Sequence, residues 1–242
     1  MTITLVQEWA TPPAASTTWT GPATTAGNTL IVRGTHRAGT NGLTMSLTDD
    51  AGNTWQLAGA PVAGNSGDGF LFYCLDAAPI TSITISPVAS LLFLTEWSGV
   101  GTVADITSQA NASTTTPPPA LALADTPGSL VYGALSATVS NRVFVIEPNG
   151  FTEGVQFRAT QMTSLAAYLL DAGPGEWGPQ WRITSGGAST SGAVTVVFRP
   201  AGTDPDPDPP VQGAVRGDGT SMQAHLLTPA GLVPVRAHQE AV

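Results

Sequence analysis

Few residues in this 242-residue chain are placed to do chemistry. Its histidines are His36, His225 and His238, and two of them lie near the C-terminal end. A Ser/His/Asp relay needs an imidazole between a hydroxyl and a carboxylate. His36 is the histidine on which one could be built, but no nucleophile motif accompanies it. The sequence contains no H-E-x-x-H, paired-cysteine, G-x-S-x-G or P-loop pattern, and no G-x-G-x-x-G following a strand. Glycoside cleavage needs two carboxylates that converge across a sugar. Candidates are Asp49, Asp50, Asp68, Glu96, Asp105, Glu147, Glu153, Asp171 and Glu176. Glu96 stands out because Phe93-Leu94-Thr95-Glu96-Trp97 sets it on a strand beside an aromatic. Alternation also lets it face solvent, the usual place for glutamate. The expectation is a chain with no catalytic residue, no cofactor and no metal.

Binding is the other chemistry to weigh. Tryptophans stand at 9, 19, 55, 97, 177 and 181. In a β-sandwich most fill the space between sheets, whereas exposed ones stack on sugar faces or partners. Trp55 and Trp97 read as core; Trp177 and Trp181, in a Gly/Pro-rich stretch, are the candidates for a ligand or partner surface. Asp49-Asp50-Ala51-Gly52-Asn53 could hold a cation, but it lacks the Asp-x-Asp-x-Asp-Gly spacing and distal Glu of a calcium loop, so it reads as a hairpin turn. Arg216-Gly217-Asp218 reads as a turn, and Asn111-Ala112-Ser113 is a glycosylation sequon without a visible secretory route. Cys74, the single cysteine, sits in Phe70-Leu71-Phe72-Tyr73-Cys74-Leu75 and reads as a buried, inert thiol.

These residues must be held by strands. Only 10% of residues are charged, 42% are hydrophobic, and there are 27 Gly and 20 Pro. That composition suits strands broken by turns. Eight scattered Arg, no Lys and seventeen acidic residues give a net charge of −9, which argues against a nucleic-acid partner. No apolar run approaches the ~20 residues that span a bilayer, so no membrane insertion is expected. The start, Met-Thr-Ile-Thr-Leu-Val-Gln-Glu-Trp, lacks a basic region followed by an apolar one, so the expectation is synthesis in a bacterial cytoplasm.

Strand patterns recur at Thr2–Trp9, Thr29–His36, Leu43–Thr48, Thr54–Ala58, Gly69–Leu75, Ser82–Ser86, Leu91–Trp97, Ser129–Ala137, Val155–Arg158, Ser164–Asp171, Gln180–Thr184 and Ala193–Arg199. Leu43, Met45 and Leu47 alternate, as do Val194, Val196 and Phe198, while Leu91-Leu92-Phe93-Leu94 is apolar on both faces. Two packed sheets satisfy both patterns, giving an all-β antiparallel sandwich, jelly-roll-like, over residues 1–200. The proline run Thr114–Pro119 is expected to cross between halves too small to bury separate cores. Asp204-Pro205-Asp206-Pro207-Asp208-Pro209-Pro210 falls in an extended linker, 201–210. Beyond it, 211–242 carries two alternating segments, Ser221–Thr228 and Leu232–His238, joined by Pro229-Ala230-Gly231 as a hairpin. So small a piece needs a partner. Met222, Leu226, Leu227, Leu232, Val233 and Val235 are the expected oligomer contacts.

Four strings carry a resemblance: Gly27-Asn28-Thr29-Leu30-Ile31-Val32, Leu47-Thr48-Asp49-Asp50-Ala51-Gly52-Asn53-Thr54-Trp55, Glu96-Trp97-Ser98-Gly99-Val100 and Gly128-Ser129-Leu130-Val131-Tyr132-Gly133. Together they resemble a recurrent β-sandwich module of phage tail proteins and some bacterial surface proteins. The segment from Gly217 to Val235 is similar to the ends of minor tail proteins from actinobacterial phages. The resemblance implies a virion protein and brings no catalytic residues. It leads to the expectation of a structural tail component, homo-oligomeric and trimeric by expectation, that assembles with other virion proteins. A carbohydrate-binding module that reads a host cell-surface glycan through Trp177 and Trp181, a glycan hydrolase using Glu96, and a capsid decoration protein are the alternatives.

Overall fold

Runs of Val, Ile, Leu, Phe and Thr punctuated by Gly, Pro and Asp leave strands as the regular structure, and there is no helix among the described residues. The computed structural model describes residues 1–10, 16–36, 45–58, 62–64, 67–89, 91–137, 143–147, 149–159 and 162–203, with four short strands between 216 and 234; residues 16, 62–64, 67–68, 157–159, 162 and those four strands are described by backbone alone. The first half contributes β1 (Thr4–Ala10), β2 (Ser16–Thr20), β3 (Asn28–His36), β4 (Ser46–Asp49), β5 (Gln56–Leu57), β6 (Val62–Gly64), β7 (Gly67–Ala77), β8 (Ser82–Ala89) and β9 (Leu91–Ser98). The second contributes β10 (Val100–Thr114), β11 (Ala122–Ala124), β12 (Ser129–Ala137), β13 (Val143–Ile146), β14 (Thr152–Glu153), β15 (Phe157–Ala159), β16 (Met162–Ala172), β17 (Gly175–Trp177), β18 (Trp181–Ser185) and β19 (Ser189–Pro200).

The halves repeat one another. The first builds a sheet in the order β1-β9-β3-β7-β5, with β6 also on β7. The second builds β10-β19-β12-β16-β14, with β15 also on β16. Strand for strand the two orders correspond. Each large sheet has a smaller one outside it: β2-β8-β4 in the first half, and the ladders β11-β17 and β13-β18 in the second. Even the special backbone positions recur, since Gly27 and Gly128, both at φ 82°, precede β3 and β12, and Asp76 and Asp171, at φ 49° and 56°, sit near the ends of β7 and β16. At φ near +80° a Cβ is strained, which is why glycine opens both central strands.

Burial follows this layering. Leu30, Val32, Phe70, Phe72, Leu92 and Leu94 pack against Met45, Leu47, Ile83 and Ile85 of the first outer sheet. The opposite face of the same sheet, with Ile31, Leu71, Tyr73 and Trp97, meets Leu130, Tyr132, Val194, Val196 and Phe198 of the second half. Trp97 lies edge-on to Tyr168 and Tyr132, at 5.0 and 6.3 Å between ring centres, and Tyr73 edge-on to Phe198 at 5.8 Å. Such pairs add about 0.5–1.5 kcal/mol each beyond their buried area. Leu135, Leu165, Phe144, Trp181 and Ile183 fill the layer beneath one outer ladder of the second half. The antiparallel sandwich architecture is thus present, as two sandwiches sharing a seam.

Three local expectations need correction. The crossing between halves is at Gly99, not at Thr114–Pro119, which joins β10 to β11 within the second half. Gly99 has φ 77°, and a Cβ there would strike the Thr2 carbonyl, so a glycine is required for the chain to pass. Asp49–Asn53 is not a hairpin: β4 pairs with β8 and β5 with β7, so the turn carries the chain from one layer to the next. Nor are the halves too small for cores of their own, because each has one and both share a third.

Residues Asp204–Val242 form a separate unit from Met1–Thr203. In it β20 (Arg216–Gly217) pairs with β21 (Met222–Gln223), and β22 (His225–Thr228) with β23 (Gly231–Pro234). Leu226 is opposite Val233 and Leu227 opposite Leu232. Arg216 and Gly217, read as part of a turn, are in a strand. Residues 204–210 of the linker and Val235 lie outside the described residues.

Candidate functional site

Arg33 is a charged side chain carried into the seam between the halves. Odd-numbered residues of β3 face the second half, so alternation sends the guanidinium there, and Arg33 is 1% exposed. Its Nε donates to the Tyr132 hydroxyl at 3.2 Å and Nη1 to the Ser164 hydroxyl at 2.9 Å; Nη2 donates to the Val155 carbonyl. The Phe93 ring lies 3.8 Å from the guanidinium carbon, and Glu8 of β1 is 3.9 Å away. Glu8 in turn accepts from the Val155 amide at 2.9 Å. One cation therefore ties β1 and β3 to β12, β16 and the loop between β14 and β15. Burial pushes the Tyr132 phenol above its usual range, so it remains a neutral acceptor for Arg33.

Glu96 does not face solvent. It is fully buried on β9, where Oε1 accepts from the Thr25 amide at 2.8 Å and from Asn28 Nδ2 at 2.5 Å, while Oε2 accepts from Gln7 Nε2. The carboxylate pins β1, β3 and the approach to β3 to one strand. His36 is buried at the end of β3, with Nδ1 on the Val88 carbonyl and Nε2 without a partner among the described residues. Among the described side chains neither a carboxylate nor a nucleophilic hydroxyl orients the ring there.

The Asp49–Asn53 turn uses its own oxygens. Asp49 Oδ1 accepts from the amides of Ala51 (2.8 Å) and Asn53 (3.1 Å), and Oδ2 from Trp55 Nε1 (2.6 Å). Asn53 bonds both ways with Ala78. The Thr81 hydroxyl, with the Thr81 and Ser82 amides, holds the Asp50 carboxyl below its usual range. Among the described residues no group of three or more His, Cys, Asp or Glu gathers to hold a metal. Cys74 is buried in the first core, and burial pushes its thiol up to about 11.

The two tryptophans chosen as a ligand surface are not brought together on one. Trp181 is 1% exposed and fills the core beneath β13-β18, so its reading as an exposed platform is overturned. β18 turns it inward opposite Ile146, and the Gly/Pro-rich sequence around it shapes the turns that lead into that strand. Trp177 is half-buried, packs on Ala122 and Ala124, and donates Nε1 to the Gly173 carbonyl at 2.8 Å. Trp55 is half-buried against the first core and Trp97 wholly within the seam.

The outward surface near Trp177 was missed. In Ala120-Leu121-Ala122-Leu123-Ala124 the alanines are buried while Leu121 is 45% and Leu123 52% exposed. β11 lies close on the sheet beneath it, so only methyl groups fit inside and the leucines point out. The strict alternation carried the signal; the absence of β-branched residues hid it. Glu176 lies opposite Leu123, and Arg199 pairs with Asp125 at the end of this ladder, with Nε to Oδ1 at 2.9 Å. That bond to Arg199 holds the Asp125 carboxyl below its usual range.

Neither a family model, a curated protein nor a solved structure matches the chain. Among the described residues no helix is long and apolar enough to cross a membrane. Chemically, the buried Arg33 and Glu96 are taken up by strand-to-strand bonds, and what faces outward is a strip of leucines and the edges of two long sheets.

Proposed function

We propose that the chain is a structural, non-enzymatic subunit of a bacteriophage particle, placed in the tail and assembling with copies of itself through its C-terminal segment. The observation that carries this reading is the Arg33 brace: a buried cation, 1% exposed, with partners on several strands of both halves serves rigidity. The resemblance of Gly27–Val32, Leu47–Trp55 and Gly128–Gly133 to a phage sandwich module points the same way. So does a linker of alternating Asp and Pro that sets a short strand-rich segment apart from the main body. In this reading each half is a jelly roll, and the pair forms one stiff surface block.

Immunogold labelling of virus particles from the source of the gene tests the reading. Label along or at the tip of the tail is the expected result. Label confined to the capsid moves the address to decoration, and particles free of the chain by mass spectrometry overturn the proposal.

A further inference from the structure

The four edges of the two large sheets are not treated alike. β5, β6, β14 and β15, which close one side of each sheet, are two or three residues long. β1, the opposite edge of the first half, spans seven residues, carries Glu8 and is broken by a bulge between Leu5 and Gln7. Short strands, bulges and charges are how sheet edges are kept from pairing with other chains. β10 occupies the position in the second half that β1 has in the first, and it is fifteen residues long.

Its first part is covered, since Leu123 of β11 donates its amide to Asp105 Oδ2 at 2.8 Å. From Asp105 opposite Val197 to Asn111 opposite Ser191 the register with β19 runs without a break, and no charge or proline follows Asp105 in it. β19 occupies one side of this stretch, and among the described residues no strand pairs with the other. Backbone groups on the far side have turned to their own side chains. The Ile106 amide donates to Asp105 Oδ1 at 2.8 Å, and the Ala110 carbonyl accepts from Gln109 Nε2 at 2.8 Å. These positions are four apart, so Ile106, Ser108 and Ala110 all direct their backbone groups outward.

We propose that this edge is a pairing site for the same edge of a second copy, antiparallel about a twofold axis at Ser108. The proposal rests on the reading of the chain as a self-assembling subunit and adds a second contact to the one assigned to the C-terminal segment. A second copy fits because charge permits it. In a molecule of net charge −9, an edge that meets itself must bring no like charges together. With Ser108 on the axis, Ser108 faces Ser108, Ile106 faces Ala110, Thr107 faces Gln109, and Asp105 faces neutral Asn111. Side chains directly opposite in such a pair stand about 4.5–5.5 Å apart.

The test is sedimentation equilibrium of the full chain as wild type, Ser108→Lys and Ser108→Glu, with near-ultraviolet circular dichroism as the check on folding. The expected wild-type mass is an even multiple of the chain mass. Each variant halves it, because like charges then meet on the axis, and an equimolar mixture of the two restores it. A monomeric or odd-numbered wild type overturns the proposal, as do variants of unchanged mass or a halved mass that mixing does not restore. A chain ending at Thr203 that loses the even association would assign the contact to the C-terminal segment instead. Particle labelling is unaffected by any of these outcomes, so the two readings fail separately.

Discussion

At the scale of single residues, the seam between the halves is held by one arginine whose fork matches three acceptors and whose plane lies against Phe93. Removing one partner from a buried charged set costs about 3–5 kcal/mol, since the remaining groups stay unpaired. Arg33→Met is therefore expected to lower the urea midpoint by that equivalent, and Arg33→Lys to lower it less but measurably, because an ammonium cannot serve the same fork. Cys74 gives a pH signature. Its thiol is raised to about 11 chiefly by burial, so the folded state keeps a proton that the unfolded state loses near 9. Stability from this group is intact below about pH 9 and falls as pH rises towards 11. Comparing wild type with Cys74→Ala across that window isolates it from the three tyrosines, all of which are also raised by burial; the variant should show the shallower decline. The sequence made Cys74 and Trp97 readable as core because strong apolar runs surround them. Glu96 and Trp181 were misread for opposite reasons: the burial habit of glutamate ignores the three donors gathered around this one, and a Gly/Pro-rich neighbourhood says nothing about which way the next strand turns its indole.

At the scale of elements, strands with interior positions were legible, as was the edge strand β1 within Thr2–Trp9, whereas β10 and β11 were not. β3, β7, β9, β12 and β19 are buried on both faces and announce themselves through Val, Ile, Leu and Phe. β10, the longest strand, went unseen because Thr107-Ser108-Gln109-Ala110-Asn111 has little that needs burying. β11 was invisible for a related reason, being made of alanine inside and leucine outside. Its packing yields a sharp contrast. Ala122→Leu forces extra methylenes against Val131 and Val197 and should cost about 1–3 kcal/mol. Leu123→Ser, on the outward face, should change stability by no more than about 0.5 kcal/mol. Thermal denaturation of the two variants separates a strand turned this way from one turned over, which would reverse the order.

At the scale of the whole molecule, the correspondence of β1–β9 with β10–β19 was hidden from the sequence because so few positions keep their residue type. Gly27 and Gly128 or Asp76 and Asp171 recur at spacings that differ by several residues, and the outer layer is one sheet in the first half and two ladders in the second. The seam makes the halves interdependent. A chain ending at Gly99 would expose Ile31, Leu71, Tyr73 and Trp97 together, an apolar face large enough to aggregate. Expressed alone it is expected in the insoluble fraction, and co-expression with residues 100–203 is expected to bring it into solution as a complex. Soluble, monomeric 1–99 would show that the shared core is dispensable.

Gly99 has one more implication. Its carbonyl accepts from the Ala201 amide at 2.8 Å, and it lies hard against Thr2, so the polypeptide enters the main body, changes halves and departs within a few ångströms of a single point. Joining Thr203 to Met1 and reopening the chain at Gly99 would exchange the order of the halves while asking little of the fold. A cargo fused to either end of residues 1–203 would hang from one pole of that body and leave the opposite pole clear.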